Sequence, residues 1–260
     1  MFNWYRGQIK EFGLVDATRV FLRVGWSRAK ASLQNRLLPA NRACPCCGWT
    51  GRRFHDYIEL GYSVPDSVCP TCDSCPRHRA FYLWLQHSYP LAEKRGTALV
   101  FAPERALAAH WAGARGLRVV RVDVVGARGV DLLADLTRLP FAADSIALVW
   151  CHHVLEHIED DRAAIRELAR VLLPETGELI VSVPMESGPT TREFGFANPR
   201  QTGHWRIYGD DFAARLSAGG LTVQALAHDP PPDERRKYGI LPEKFYICRK
   251  ASAAASDLAA

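Results

Sequence analysis

Residues 144–184 read DSIALVWCHHVLEHIEDDRAAIRELARVLLPETGELIVSVP, and the fold turns on this stretch. Ser145–Cys151 is an apolar run of strand length, suited to a strand buried on both faces of a parallel sheet. The polar segment His152–Asp161 follows, closing on Asp160 and Asp161, two acids where a helix would begin. Ala163, Ala164, Leu168, Val171 and Leu172 then fall mostly on one helical face, and Arg162, Arg166, Glu167 and Arg170 on the other. Pro174 and Gly177 stop that helix, and Glu178–Val183 is a second apolar strand ended by Pro184. A strand–helix–strand unit of this length makes a right-handed parallel crossover. Ligands of such sheets bind beyond the carboxyl ends of the strands, which places Cys151–His157 at the site.

Upstream, Thr97–Phe101 reads as the first strand, running into Ala102-Pro103-Glu104-Arg105 and a helix through Trp111. Leu117–Val125 is the second strand, with Asp123 near its end, and Asp131–Pro140 carries Asp135. Downstream, Met185–His204 holds Gly188, Pro189, Gly195, Pro199 and Gly203, the composition of a lid or binding loop. Asp210–Leu216 is expected to be helical, and Leu221–Ala227 and Lys244–Cys248 are late strands. The alternation predicts a doubly wound, mostly parallel seven-stranded α/β sheet over 97–250, with a terminal hairpin and a frayed tail at 251–260.

The front half is built differently. At 260 residues the chain can bury one full core and carry a small appendage. No apolar run reaches membrane-spanning length, and the N-terminus lacks the uninterrupted apolar core of a signal peptide, so a cytoplasmic location is expected. Residues 1–43 hold eight Lys or Arg against two acids, a net +6 in a chain whose total is +5. Aromatic and aliphatic positions are interleaved with those charges, and Ala17, Val20, Phe21 and Val24 follow helical spacing. Such a helix could meet an anionic membrane peripherally or a nucleic acid. The broken periodicity favours a helix packed on its own catalytic domain with a solvated basic face.

Residues 44–79, CPCCGWTGRRFHDYIELGYSVPDSVCPTCDSCPRHR, contain six of the eight cysteines. Without an export signal, that density favours metal binding over disulfides. Cys44-x-x-Cys47 and Cys69-x-x-Cys72 are two thiolate-bearing turns, separated by a span long enough for a hairpin. Four sulfurs from two such turns suit tetrahedral Zn²⁺ and leave no open position, so the site is expected to be structural. Cys46 and Cys75 are spare, and Cys75 could compete as a ligand. Arg77-His78-Arg79 follows, leading into a linking helix within 80–96. The Arg/His cluster could touch phosphate or substrate, cap that helix, or pack on the ribbon.

The wording LPF-x-x-D-S-x-x-x-V-x-C-x-H-V-L-E-H-I-x-D-D, then EL-x-RVL-x-P-x-x-G-x-x-x-x-x-VP, resembles the class I S-adenosylmethionine-dependent methyltransferases, and the likeness extends over about 97–250. The paired CP-x-CG and CP-x-C-x-x-x-x-RHR elements resemble a Cys-rich prefix found on some bacterial methyltransferases, except that Cys75-Pro76 stands where leucine–glutamate is usual. The resemblance implies a Rossmann-like methyltransferase fold and S-adenosylmethionine as cofactor, with Asp123 at the ribose hydroxyls, Asp135 near the adenine amino group and Leu136 beside its ring. It assigns Phe101, Ala102, Glu104 and His152 to the cofactor as well, and His153 and His204 to catalysis. The family's glycine-rich first turn is absent. Phe101-Ala102-Pro103-Glu104 replaces it, either as a variant in which Glu104 faces the cofactor's ammonium or as a turn that impairs binding. The expected acceptor is an O or N of a small or glycan-like molecule. Two rivals stand: an RNA methyltransferase, as in ribosomal RNA guanine methyltransferases that also carry a Cys-rich N-terminal unit, and a catalytically inactive scaffold.

Overall fold

The computed structural model describes residues 2–60, 62–126 and 129–251, with the side chains of Phe2, Asn3, Trp4 and Glu11 left aside. Residues 252–260 of the expected frayed tail lie outside the described residues. Two compact units form: Met1–Tyr89 with Arg105–Ala109 and His228–Glu243, and Pro90–Glu104 with His110–Ala227 and Lys244–Ala260. These units cut across the expected segments, because two later pieces of chain join the N-terminal one.

The second unit is organised by a sheet of β1 (Gly96–Phe101), β2 (Leu117–Asp123), β3 (Leu132–Leu133), β4 (Leu148–His152), β5 (Glu178–Ser182), β6 (Leu221–His228) and β7 (Glu243–Lys250). Their order is β3-β2-β1-β4-β5-β7-β6. The pairs β1–β2, β1–β4, β2–β3 and β4–β5 are parallel, and β7 runs antiparallel to β5. This is the Rossmann-like sheet expected of residues 97–250. Strand order reverses between β1 and β4, so their carboxyl ends border the crevice where ligands of open α/β sheets bind. The late strands are neighbours as expected, but the helix Pro232–Tyr238 lies in their connection.

The deciding stretch folds as its pattern dictates, with shifted edges. Every residue of β4 and β5 is buried, which is why both read as continuous apolar runs. β4 begins three residues later than Ser145, because the Ser145 and Ile146 amides donate instead to the Val171 carbonyl. It runs one residue further, to His152, which pairs with Ser182. The helix Asp161–Val171 is capped by the Asp160 carboxylate, which accepts the Ala163 amide at 2.9 Å. Asp161 is drawn inward, accepting from the Tyr208 hydroxyl at 2.7 Å and from Arg215 at 2.6 Å.

Met185–His204, expected as a loop, contains a hairpin strand. Arg192–Asn198 pairs antiparallel with His204–Ile207 across a turn at Pro199–Gln201. Residues two apart on a strand share a face, so His204 and Arg206 project together.

In the other unit, the helix Leu14–Leu37 buries Ala17, Val20, Val24, Ser27 and Ala31. Val20 and Val24 pack on Ile58 of the hairpin His55–Ile58/Ser63–Val68, and the Ser27 hydroxyl donates to Asp56 at 2.6 Å. The opposite face corrects the expected solvated basic surface. Val15, Leu22, Trp26, Leu33 and Leu37 form a second apolar stripe, 58–71% exposed, with Arg19, Arg23 and Lys30 beside it.

Candidate functional site

The site starts where β1 ends. Ala102 has φ 45° and donates its amide to the Val122 carbonyl at 2.9 Å, turning the chain off the sheet before Pro103. A non-glycine residue in this left-handed region costs about 1–2 kcal/mol, and alanine bears it with the smallest possible side chain. Thus Ala102 holds a conformation that glycine takes freely, at the position where the resemblance leads one to expect a glycine-rich turn.

Beside it, β2 ends on Asp123, whose Oδ1 accepts the Val125 amide at 3.1 Å. Asp135 lies beyond β3 and its Oδ1 accepts the Thr137 amide and hydroxyl, both at 2.8 Å. Phe101, Ala102, Asp123, Asp135 and Leu136 line one cavity of about 550 Å³, with Val154 and His157 on its far wall. That volume falls in the range of small-molecule sites, roughly 300–1,000 Å³. Five of the seven residues assigned to the cofactor are therefore brought together. The remaining two, Glu104 and His152, are not among its lining residues. His152 is buried, its Nδ1 hydrogen-bonds the Ser182 hydroxyl, and its Nε2 lies 3.9 Å from Glu104 Oε1.

A second cluster follows β4. His153 has φ 51°, a strained conformation for such a residue at the strand's carboxyl end. Its Nδ1 lies 3.3 Å from Glu156 Oε1. Glu156 is fully buried, and neither carboxylate oxygen has a hydrogen-bond partner among the described residues. The hairpin delivers His204, whose ring meets His157 edge-on at 4.7 Å. One ligand atom each from Glu156, His157 and His204 lie within 4.8 Å of one another. Burial pushes the His204 imidazole below its ordinary pKa, against the pull of Glu156, so the ring is neutral near pH 7. Arg206, on the same strand face, donates to the carbonyls of Leu155, Ile158 and Glu159 and so fixes the turn that carries Glu156 and His157. His153 and His204, the two residues assigned to catalysis, thus meet around the Glu156 carboxylate, which lies in the Cys151–His157 stretch expected at the site but had no role of its own there. An acid between histidines at i−3 and i+1 was the available sign.

In the other unit, Cys44, Cys47, Cys69 and Cys72 converge, with ligand atoms within 4.8 Å of one another. Cys44–Cys72 and Cys47–Cys69 sulfurs are each 3.6 Å apart. A zinc tetrahedron with Zn–S near 2.3 Å has edges of about 3.8 Å, so the spacing and the four-sulfur donor set both suit Zn²⁺. The neighbouring Cys46, Cys69 and Ser74 side chains hold the Cys44 thiol far below its usual value despite burial. Cys75 does other work. It is the N-cap of the helix Pro76–His87, its amide donating to His78 Nδ1 at 3.1 Å. Arg79 is fully buried, donating to the carbonyls of Ser67, Ser74, Tyr238 and Gly239 and stacking on Phe54 at 4.0 Å. The Arg/His cluster therefore caps a helix and packs on the ribbon.

Residues 103–181 match a family model described as "Methyltransferase domain". No curated protein matches the chain. Among solved structures, 1,6-didemethyltoxoflavin-N1-methyltransferase from Burkholderia thailandensis is 16% identical, covering 75% of this chain and 98% of its own at a TM-score of 0.48. An S-adenosylmethionine dependent methyltransferase from Mesorhizobium loti is 14% identical, covering 65% and 96% at 0.47. Geranyl diphosphate C-methyltransferase from Streptomyces coelicolor is 13% identical, covering 65% and 77% at 0.48. With the family match lying over β4 and β5, and the sheet running through the order found here, the second unit has the fold of class I S-adenosylmethionine-dependent methyltransferases.

Proposed function

We propose that the protein is an S-adenosylmethionine-dependent methyltransferase acting on an oxygen or nitrogen of a small-molecule or glycan-like acceptor. The observation that carries this reading is the cavity at the ends of β1, β2 and β4, with Asp123 and Asp135 on its wall. When bound, the cofactor supplies an electrophilic methyl group on a sulfonium. Asp123 is suited to accept the ribose hydroxyls, and Asp135 the adenine amino group with Leu136 against the ring. The Phe101–Glu104 turn takes the amino acid end, with Glu104 as the carboxylate for its ammonium and buried His152 bracing Glu104. Alignment of donor and acceptor accounts for much of the rate in such a displacement. His153 and His204 stand on the acceptor side, where a neutral imidazole can take a proton from an acceptor that must lose one.

Calorimetry with S-adenosylhomocysteine tests the reading. Asp123→Ala removes two charge-assisted hydrogen bonds, worth about 2–4 kcal/mol, so affinity should fall roughly 30- to 1,000-fold. Equal binding by wild type and variant would remove Asp123 from the site. No binding by the wild type at millimolar ligand would favour the inactive scaffold.

The exposed stripe Leu22, Trp26 and Leu33, flanked by Arg19, Arg23 and Lys30, supports peripheral contact with an anionic bilayer. Cosedimentation with phosphatidylserine vesicles should exceed that with phosphatidylcholine and drop in Trp26→Glu. Salt-sensitive RNA retention without vesicle binding would instead favour the RNA methyltransferase reading.

A further inference from the structure

We propose that Glu156, His157 and His204 form a site for a divalent first-row transition metal ion, separate from the cysteine knuckles. The argument begins with Glu156. Its carboxylate is fully buried, and both oxygens lack a hydrogen-bond partner among the described residues. A carboxylate out of water is tolerated when it is paired or coordinates a metal. The nearest imidazole on its own segment is that of His153, 3.3 Å away at Nδ1 and itself held at φ 51°. One imidazole leaves the second oxygen unanswered.

The other donors arrive from two directions. His157 adjoins Glu156 in the short turn Leu155–His157, and His204 comes from the hairpin strand His204–Ile207. Their ligand atoms and that of Glu156 lie within 4.8 Å of one another, a limit that admits the roughly 3.3–3.6 Å between donors of a tetrahedral ion with bonds of about 2.0–2.2 Å. His204 is arranged as a ligand. Its Nε2 is 3.1 Å from the Thr202 hydroxyl, and its Nδ1 is buried with no partner among the described residues. An outer hydrogen bond on one ring nitrogen leaves the other free to bind metal and fixes the ring's aim. Arg206 locks the turn by its three carbonyl contacts, so the two sides of the site are tied together.

Two imidazoles and one carboxylate suit zinc, cobalt or ferrous iron, and three protein ligands leave coordination positions open. His157 is exposed and lines the cavity, so an open position there would face that space. The ligand class it would take is an oxygen donor, a hydroxyl or carboxylate of the acceptor. That assignment rests on the methyltransferase reading; metal binding does not. With a metal bound, His204 holds the ion rather than taking a proton.

The full chain, its cysteine knuckles filled with zinc, is titrated with Co²⁺ and bound metal is counted after gel filtration. Wild type should hold one cobalt per chain beyond the zinc. Glu156→Gln and His204→Gln should each weaken cobalt binding by about a hundredfold or more. His157→Gln, at an exposed position, should do the same with an unchanged thermal melt, which separates lost ligation from lost folding. A single zinc per chain and no cobalt on the wild type, or wild-type cobalt binding in a folded His157→Gln variant, would overturn the site. S-adenosylhomocysteine calorimetry on the same samples keeps the two readings apart. Cobalt bound by a protein that binds no S-adenosylhomocysteine upholds the metal site and overturns the oxygen-donor assignment.

Discussion

Replacing Cys44 by serine should release one zinc per chain and unfold the knuckle pair. Cys44, Phe54 and Cys69 form the buried centre of this segment, with Cys46, Trp49 and Cys72 against it. So few apolar groups cannot offset the chain entropy of the surrounding turns. Structural zinc contributes on the order of 10 kcal/mol to units of this kind, and removing one ligand forfeits much of that. Trp49 stacks on Phe54 at a ring distance of 5.1 Å, so its fluorescence reports the collapse. Cys46→Ser should keep the metal, since Cys46 is not one of the four converging sulfurs. Full zinc and an unchanged melt in Cys44→Ser would contradict a structural zinc site.

Arg79→Met should destabilise the N-terminal unit by about 3–5 kcal/mol. The guanidinium is fully buried and, among the described residues, pairs with no carboxylate. Its partners are four backbone carbonyls and the face of Phe54. Two of the carbonyls, Tyr238 and Gly239, come from the segment that joins this unit late in the chain. Methionine fills the volume and leaves all four acceptors bare, each a lost hydrogen bond in a dry place. Lysine should rescue little, because one ammonium cannot reach carbonyls arranged around a planar fork. The charge has a further reason to be there. With Zn²⁺ bound, four thiolates would carry a net charge of about −2, which the buried Arg79 guanidinium would offset. Gly239, at φ 56°, completes the packing, since a Cβ there would lie 2.8 Å from the Phe54 ring. Urea denaturation gives the number, and a loss below about 1 kcal/mol would show that the carbonyls find other donors.

How far the sequence discloses this molecule depends on the range of each interaction. β4, its helix and β5 are legible because strands buried on both faces show as unbroken apolar runs, and Asp160 caps where an acid should. The edges blur because apolar side chains extend beyond the ladder, as at Ile146, whose amide goes to Val171 instead. The cysteine knuckles are legible for a similar local reason, two short turns each bearing its own pair of ligands. The Glu156 cluster is not, since His204 lies 48 residues away, on a strand inside a Gly- and Pro-rich stretch that reads as loop. Arg79 was legible only as one of several alternatives. Packing on the ribbon stood beside phosphate contact and helix capping, and its carbonyl partner Tyr238, 159 residues distant, could not be read from the run. The second apolar stripe of Leu14–Leu37 was hidden by its own symmetry, because two opposed apolar faces cancel the one-sided pattern by which helices are found.

The central claim is that the cofactor occupies the cavity at the ends of β1, β2 and β4. Hydrogen exchange of the full chain with and without S-adenosylhomocysteine tests its position directly. The account predicts slowed exchange at the amides of Ala102, Val124–Val125 and Leu136–Thr137, with little change at the cysteine knuckles. Binding that leaves those amides untouched, or that protects only residues 44–79, would contradict it.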